Sequence, residues 1–226
     1  AISAALSAHR PAQATETAKS ALRITILFAF PCAVGLSVLA APILQLAFGD
    51  ASHSFLLNVM GLAVACVTLG QTGNAILQAY GKVWTPVINM AIGGAVKVVV
   101  NLLLVSQPAI NINGAPIGTF LCYFTVMVLN LLAIKKVTGV TYEFSDFVIK
   151  PLFSILVMGA ATMITYDFVF RMGMHYIIAM GAAICAAVVV YGAMIFLVRC
   201  IKKEDILLLP RGEQMYAALR RLHFMK

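Results

Sequence analysis

A lysine in the middle of an apolar stretch is the residue of this chain best placed to do chemistry. Lys97 lies within residues 85–106, and in a helix it would stand roughly 14–18 Å from either end of that stretch. A charge near a bilayer centre costs about 2.5–3.5 kcal/mol on insertion scales. We therefore expect Lys97 to face water, an acceptor or an anion. Asn101 follows one helical turn later and shares its face.

Two interpretations of Lys97 are open. In the first, Lys97 and Asn101 form the wall of a cavity and contact an anionic substrate such as a phosphate. In the second, Lys97 is structural: its ammonium either bonds the carbonyls of a broken helix or reaches the membrane interface along its flexible stem.

Three amides form a second polar set. Gln71, Asn74 and Gln78 are spaced three and four residues apart within an apolar stretch, so a helix would present them on one face. Amides in membranes commonly bond across to another helix, for about 0.6 and at most 1–2 kcal/mol. The alternative is a polar stripe that lines a passage for sugars.

The composition indicates what must carry these side chains. The 226 residues are 62% hydrophobic and 11% charged, with a mean hydropathy of +0.98. Soluble domains are about 45–50% apolar and about 25% charged. This chain has too few charges to cover a globular surface, which excludes an ordinary soluble enzyme or extracellular module. It predicts an all-α integral membrane protein.

Six stretches have the length of about 20 residues that a membrane helix needs. They are continuously apolar rather than alternating, which argues against a β-barrel. Short polar connections between them predict antiparallel neighbours. The predicted spans are residues 24–48, 55–80, 85–106, 115–134, 151–170 and 176–198.

The basic residues orient these spans. Fourteen of the sixteen lysines and arginines fall before the first span or after the second, fourth and sixth, and Arg171 alone falls on the other side. By the positive-inside rule, both ends of the segment are predicted to be cytoplasmic. A cytoplasmic membrane surface then explains the net charge of +8 better than nucleic acid does.

The remaining residues offer no catalytic or metal-binding set. The acidic residues lie in predicted loops, in tails or, for Asp167, at the end of a span, and the five cysteines are scattered. No paired acids, nucleophile triad, phosphate-binding glycine loop or histidine–cysteine cluster is present in the sequence. We therefore expect neither an enzyme nor a bound cofactor or metal.

Proline positions predict breaks in the first span. Pro31 and Pro42 each remove an intrahelical hydrogen bond, so neighbouring groups must bond the freed carbonyls. Such breaks occur in transporters that rock between states and also in static membrane proteins.

Several strings resemble one family when taken in order. They are ALRITILFAFPCAVGLSVLAAPILQLAFG, NAILQAYGKVWTP, AVKVVVNLLL, NINGAPIGTFLCY and LLLPRGEQMYAALRRL, with Ile2-Ser3 upstream. The set resembles the multidrug/oligosaccharidyl-lipid/polysaccharide exporter superfamily, in the stage V sporulation protein B branch related to lipid II flippases. Lys97 and Asn101 match that family's lysine-to-asparagine helix.

The resemblance implies that this chain is the C-terminal part of a two-lobed parent of about fourteen helices. Residues 1–23 would be the end of a preceding helix and a cytoplasmic linker, and 24–134 four helices of the second lobe. Residues 135–150 would form a cytoplasmic loop. Residues 151–198 would be two added helices that hold a polyprenyl tail, and 199–226 a basic cytoplasmic tail.

The implied function is translocation of a polyprenyl-diphosphate-linked oligosaccharide or peptidoglycan precursor across the bacterial inner membrane by alternating access. Its expected partners are that substrate, the lipid bilayer and the N-terminal lobe of the same polypeptide, with no nucleic acid. Two alternatives are a drug/cation antiporter of the same superfamily and a non-transporting scaffold in envelope or spore-coat glycan synthesis.

Overall fold

A computed structural model describes residues 1–108, 110–139 and 149–198 of the chain. Within these ranges the secondary structure is helical, apart from turns and connections, and contains no strand. The helices are α1 (Ile2–Ser7), α2 (Pro11–Val38), α3 (Ala40–Phe48), α4 (Ser54–Ala79), α5 (Trp84–Val105), α6 (Gly114–Thr138), α7 (Lys150–Arg171) and α8 (Tyr176–Leu197), with a 3-10 turn at Asn111–Asn113.

Six of these helices are long and apolar enough to cross a membrane. They are α2, α4, α5, α6, α7 and α8, with the 3-10 turn continuing into α6. The protein is thus an all-α integral membrane protein, which confirms the fold class predicted from the composition. The predicted loop 135–150 begins later than expected, because α6 continues to Thr138. Most of that loop, and the predicted tail 199–226, lie outside the described residues.

The first predicted span is corrected at both ends. Residues 11–23, expected to be a linker, form the first half of α2, a helix of 28 residues. At 1.5 Å per residue α2 is roughly 42 Å long, which exceeds the hydrocarbon thickness of about 30 Å. Pro11 is well suited to the first turn, and Ala14, Ala18 and Leu22 form a buried stripe four residues apart. Sequence hydropathy misses this stripe, because small residues and polar neighbours lower the average.

The other end of that span is broken between α2 and α3. Pro42 has no N–H and cannot donate to the Val38 carbonyl, four residues earlier, and the chain leaves helical geometry at Leu39. Asn58 of α4 donates from Nδ2 to the Ser37 carbonyl over 3.1 Å, which satisfies one acceptor at the helix end. The predicted span 24–48 is therefore two helices.

The helices pack in a spatial order that differs from their order in the chain. α4 packs against α2 on one side and α6 on the other. α5 packs against α6, and α7 and, over a smaller area, α8 pack against α2. The core between α2, α4 and α6 is formed by buried aliphatic side chains: Ala18, Leu22, Leu69, Ile76, Leu77 and Ile134. α5 packs chiefly on α6, and its outer face of valines and leucines is exposed in the manner of a lipid-facing helix.

The connection between α3 and α4 is a polar turn. The Asp50 carboxylate accepts hydrogen bonds from the Ser52 hydroxyl at 2.7 Å and from the Ser52 backbone N–H at 2.8 Å. These two bonds lower the pKa of Asp50, because they favour its ionised form.

Candidate functional site

The predicted site residues on α5 lie along its contact with α6. Asn89, Gly93, Lys97 and Asn101 are four residues apart, so they form one ridge of α5. Small residues let this ridge approach the partner helix closely: a Cβ added at Gly93 would stand 2.5 Å from the Val126 side chain. The two helices are therefore in close contact at Gly93.

A cavity opens beside the second half of this ridge. It has a volume of about 330 Å³, and both Lys97 and Asn101 line it. Its other walls come from α4, α6 and the 3-10 turn before α6: Leu56, Met60, Ile112, Ala115, Pro116 and Thr119. The structure thus brings Lys97 and Asn101 together at one cavity, as the first interpretation of these residues requires.

Lys97 forms no ion pair with an acidic residue in the described part of the chain. An ion pair found there joins Lys19 and Glu16 at 2.7 Å, and both residues lie on α2, far from Lys97 in sequence. The other described carboxylates are Asp50, in the α3–α4 turn, and Asp167, near the end of α7. Lys97 is half-buried, so its positive charge lies within a largely apolar wall and can attract an anion that enters the cavity.

Asn101 has a buried oxygen atom in the contact between α5 and α6. Its Oδ1 is inaccessible to solvent and accepts no hydrogen bond from the described residues. The atom lies over the α-carbon of Gly118, where a Cβ would overlap it. A Cα–H contact compensates only weakly, for about 0.5–1 kcal/mol. Asn101 Oδ1 is therefore an acceptor without a bond among the described residues, and a donor on a ligand would reach it only after the amide turns toward the cavity.

The other end of the α5–α6 contact is a closed amide cluster. Asn89 Nδ2 donates to Asn130 Oδ1 at 2.8 Å, which joins α5 to α6. Asn130 Nδ2 donates to Asn74 Oδ1 at 2.8 Å and to the Gly70 carbonyl at 3.0 Å, which joins α6 to α4. Asn130 is completely buried, and both polar ends of its side chain are bonded. We call Asn74, Asn89 and Asn130, with the Gly70 carbonyl, the amide cluster.

The three amides predicted on one face of α4 have different environments. Asn74 belongs to the amide cluster and is half-buried. Gln71 is exposed, and its Oε1 accepts a long hydrogen bond of 3.5 Å from Asn74. Gln78 is exposed two turns further along. Asn74 therefore bridges helices, while Gln71 and Gln78 keep polar groups on the surface of α4.

The structure divides the predicted site residues into two groups. Lys97 is eight residues from Asn89 along α5, which is roughly 12 Å. The cavity and the amide cluster are consequently at different depths of the same helix pair. No hydrogen bond in the described residues connects Lys97 or Asn101 to Gln71, Asn74 or Gln78.

Asn130 is the important residue that sequence reasoning missed. It is an amide within the apolar stretch 115–134, and such a residue is itself a signal, because membranes disfavour unbonded polar groups. Its three partners come from α4 and α5, 41 to 60 residues away in sequence. Only the packing of the three helices shows that these partners meet.

Known proteins of Bacillus subtilis are similar in sequence to this chain of apolar helices with few polar side chains. The chain is a multi-pass membrane protein, and the curated proteins that match it include a membrane protein. In the uncharacterized membrane protein YabM of Bacillus subtilis (strain 168), 29% of 121 aligned residues are identical, covering 54% of this chain and 22% of YabM. Stage V sporulation protein B of the same organism is 20% identical over 192 residues, covering 85% of this chain and 37% of that protein.

The alignments therefore span well under half the length of each of these relatives. No protein-family model matches the chain, and no solved structure matches it significantly.

Proposed function

We propose that this chain is part of a bacterial flippase that moves a polyprenyl-diphosphate-linked oligosaccharide or peptidoglycan precursor across the inner membrane by alternating access. In this proposal the protein transports its substrate without chemical change, and both ends of the segment face the cytoplasm. Its partners are the lipid-linked substrate, the bilayer and an N-terminal lobe of the same polypeptide. The similarity to stage V sporulation protein B over most of this chain supports the assignment.

The observation that carries the proposal is the cavity with Lys97 and Asn101 in its wall. A diphosphate is a strong anion and would replace the acidic partner that Lys97 lacks among the described residues. Once the Asn101 amide turns toward the cavity, its Oδ1, which has no donor among the described residues, can accept a hydrogen bond from a sugar hydroxyl beside the phosphate. One cation and one acceptor therefore match a substrate in which phosphate and sugar are adjacent.

The size of the cavity limits what it holds. Ligand pockets are commonly about 300–1,000 Å³, and this cavity, at about 330 Å³, is at the lower limit. It accommodates part of a headgroup, such as a phosphate with an adjoining sugar, and not a whole lipid-linked precursor. We expect the remaining sugars to contact the other lobe and the polyprenyl chain to lie on α7 and α8, where large apolar side chains are exposed.

The exposed amides of α4 belong to the same proposal. Gln71 and Gln78 leave donors and acceptors on a helix surface within an otherwise apolar membrane protein. Sugar hydroxyls would exchange hydrogen bonds with such groups at little cost. Asn74 contributes indirectly, because its bond to Asn130 holds α4 against α6.

The test is the rate at which reconstituted vesicles translocate a fluorescent lipid-linked precursor. Lys97→Met removes the charge but keeps an unbranched side chain, and we expect the rate to fall about tenfold or more, since a charge-assisted hydrogen bond contributes about 1.5–3 kcal/mol. Lys97→Arg should retain most of the rate because it keeps the charge. The matched control is Lys82→Met, which removes an exposed lysine between α4 and α5.

Equal rates for wild type, Lys97→Met and Lys82→Met would overturn the role of Lys97. A wild-type protein that translocates no precursor would overturn the flippase proposal and favour a scaffold. Translocation of a cationic drug in exchange for protons or sodium would favour the antiporter.

A further inference from the structure

A tyrosine of α8 bonds the carbonyl that a proline of α2 leaves without a helical donor. Pro31 lies inside α2 and has no N–H, so the carbonyl of Leu27, four residues earlier, lacks its helical partner. The Tyr191 hydroxyl donates to this carbonyl at 2.6 Å. The two bonded residues are 164 positions apart in the chain. Their contact therefore depends wholly on how α8 packs.

The position of this bond matters because α2 is held to α4 on both sides of the proline. Before the proline, Thr25 bonds Thr72 of α4 at 2.9 Å. After it, Gly61 of α4 approaches Ser37 so closely that a Cβ would stand 2.9 Å from the Ser37 nitrogen. Both halves of α2 are thus anchored to α4, and the segment around Pro31 spans the gap between the two anchors.

α8 itself has few attachments to the bundle. It packs mainly on α7 and touches α2 and α3 over small areas. α7 reaches α2 at Gly159, where an added Cβ would stand 3.1 Å from the Val34 side chain. The bond from Tyr191 is consequently a polar tether between α8 and α2 in a part of the molecule that is largely apolar.

We propose that Tyr191 is a positioning residue that holds α8 against α2 at Pro31. While the Tyr191 hydroxyl donates to the Leu27 carbonyl, α2 keeps its present geometry. If α8 moves away, that carbonyl faces hydrocarbon without a donor, so displacement of α8 and rearrangement of α2 at Pro31 are energetically coupled. This inference does not depend on the proposed transport activity, because it concerns the contact between two helices.

Restoring the missing donor provides the test. Pro31→Ala supplies a backbone N–H at position 31 that can bond the Leu27 carbonyl, so the Tyr191 hydroxyl is no longer required there. With the proline present, we expect Tyr191→Phe to lower the Tm of the full chain in detergent by about 1–4 °C, the range for one interhelical hydrogen bond. Added to Pro31→Ala, the same substitution should have no further effect.

A spectroscopic measurement separates positioning from general stability. The exposed Cys32 and Cys185 lie on α2 and α8, so they are natural sites for a pair of nitroxide labels once the other three cysteines are replaced by alanine. With the proline present, Tyr191→Phe should broaden the distribution of distances between the labels. The matched control, Tyr166→Phe, removes a hydroxyl from α7 that makes no hydrogen bond among the described residues and should leave the distribution unchanged.

Two results would overturn the proposal. One is a Tyr191→Phe effect of the same size with and without the proline at position 31, which would mean that the hydroxyl acts elsewhere. The other is an unchanged Tm and distance distribution when the proline is present. If Pro31→Ala does not fold, Pro31→Ser supplies the same N–H, and the label measurement in the protein that retains Pro31 decides the question on its own.

Discussion

Both ends of the α5–α6 contact carry polar side chains, which are hydrogen-bonded at one end and lack a partner among the described residues at the other. In the amide cluster, Asn130 is completely buried and bonded at both polar ends. At the cavity, Asn101 Oδ1 is buried without a donor, and Lys97 has no acidic partner among the described residues. A satisfied polar group stabilises a helix contact, whereas an unsatisfied one costs free energy until a donor or acceptor bonds it. The difference separates the structural amides from the candidate binding groups.

The largest loss of stability should come from removing the hydrogen bonds of the amide cluster. Asn130→Ala removes three hydrogen bonds and leaves Asn89, Asn74 and the Gly70 carbonyl with fewer partners. We expect a loss of about 2–4 kcal/mol and a fall in Tm of about 5–15 °C. Thermal unfolding in detergent measures it, and Gln78→Ala is the control, because Gln78 is an exposed amide of α4. Equal stability of the two variants would show that the amide cluster contributes nothing.

A smaller loss of stability is expected from adding a methyl group between α5 and α6 at the cavity end of their contact. Gly118→Ala places a Cβ where Asn101 Oδ1 lies, so α5 and α6 must separate or the amide must turn. Overpacking of this kind costs about 1–3 kcal/mol, which thermal unfolding in detergent measures. The control is Gly94→Ala, since a Cβ at Gly94 meets nothing within 4 Å.

A second substitution sharpens this result. Gly118→Ala combined with Asn101→Ala should recover much of the lost stability, because the overlapping side chain is gone. A double variant no more stable than Gly118→Ala alone would mean that the clash is not with Asn101.

The smallest change in stability should come from Asn101 itself. Asn101→Ala removes an acceptor that is not bonded within the described residues and adds no larger group beside Gly118, so we expect a change within about 1 kcal/mol. Translocation of the lipid-linked precursor should nevertheless fall. A loss of stability as large as that of Asn130→Ala would contradict the distinction between the two ends.

Parts of the fold follow directly from local sequence. Six apolar stretches predict six membrane helices, and the spans after the first begin and end within a few residues of α4 to α8. The helix bounds differ from the first predicted span, because the helix signal of residues 11–23 depends on burial of Ala14, Ala18 and Leu22 against other helices. Pro42 predicts a break in the helix, and the structure has it at Leu39. The sequence does not predict that Asn58 of α4 bonds the end of α2.

The candidate site was predictable only in part. Lys97 is conspicuous because a charge in an apolar stretch requires a reason, and Asn101 shares its face by helical periodicity. Gln71, Asn74 and Gln78 also share a face, yet their roles differ with what packs beside each. Asn130 was missed although it is as unusual as Asn74, since an isolated amide does not indicate whether its bonds are satisfied.

The sequence by itself determined the class of this protein, its helices and the few polar side chains that must be accommodated in the membrane, because hydropathy and helical periodicity are properties of neighbouring residues. The tertiary structure alone decided which of those polar groups are bonded. Whether an amide bridges helices or faces a cavity depends on residues tens of positions away, and hydrogen bonds require their donors and acceptors to meet within about 3 Å.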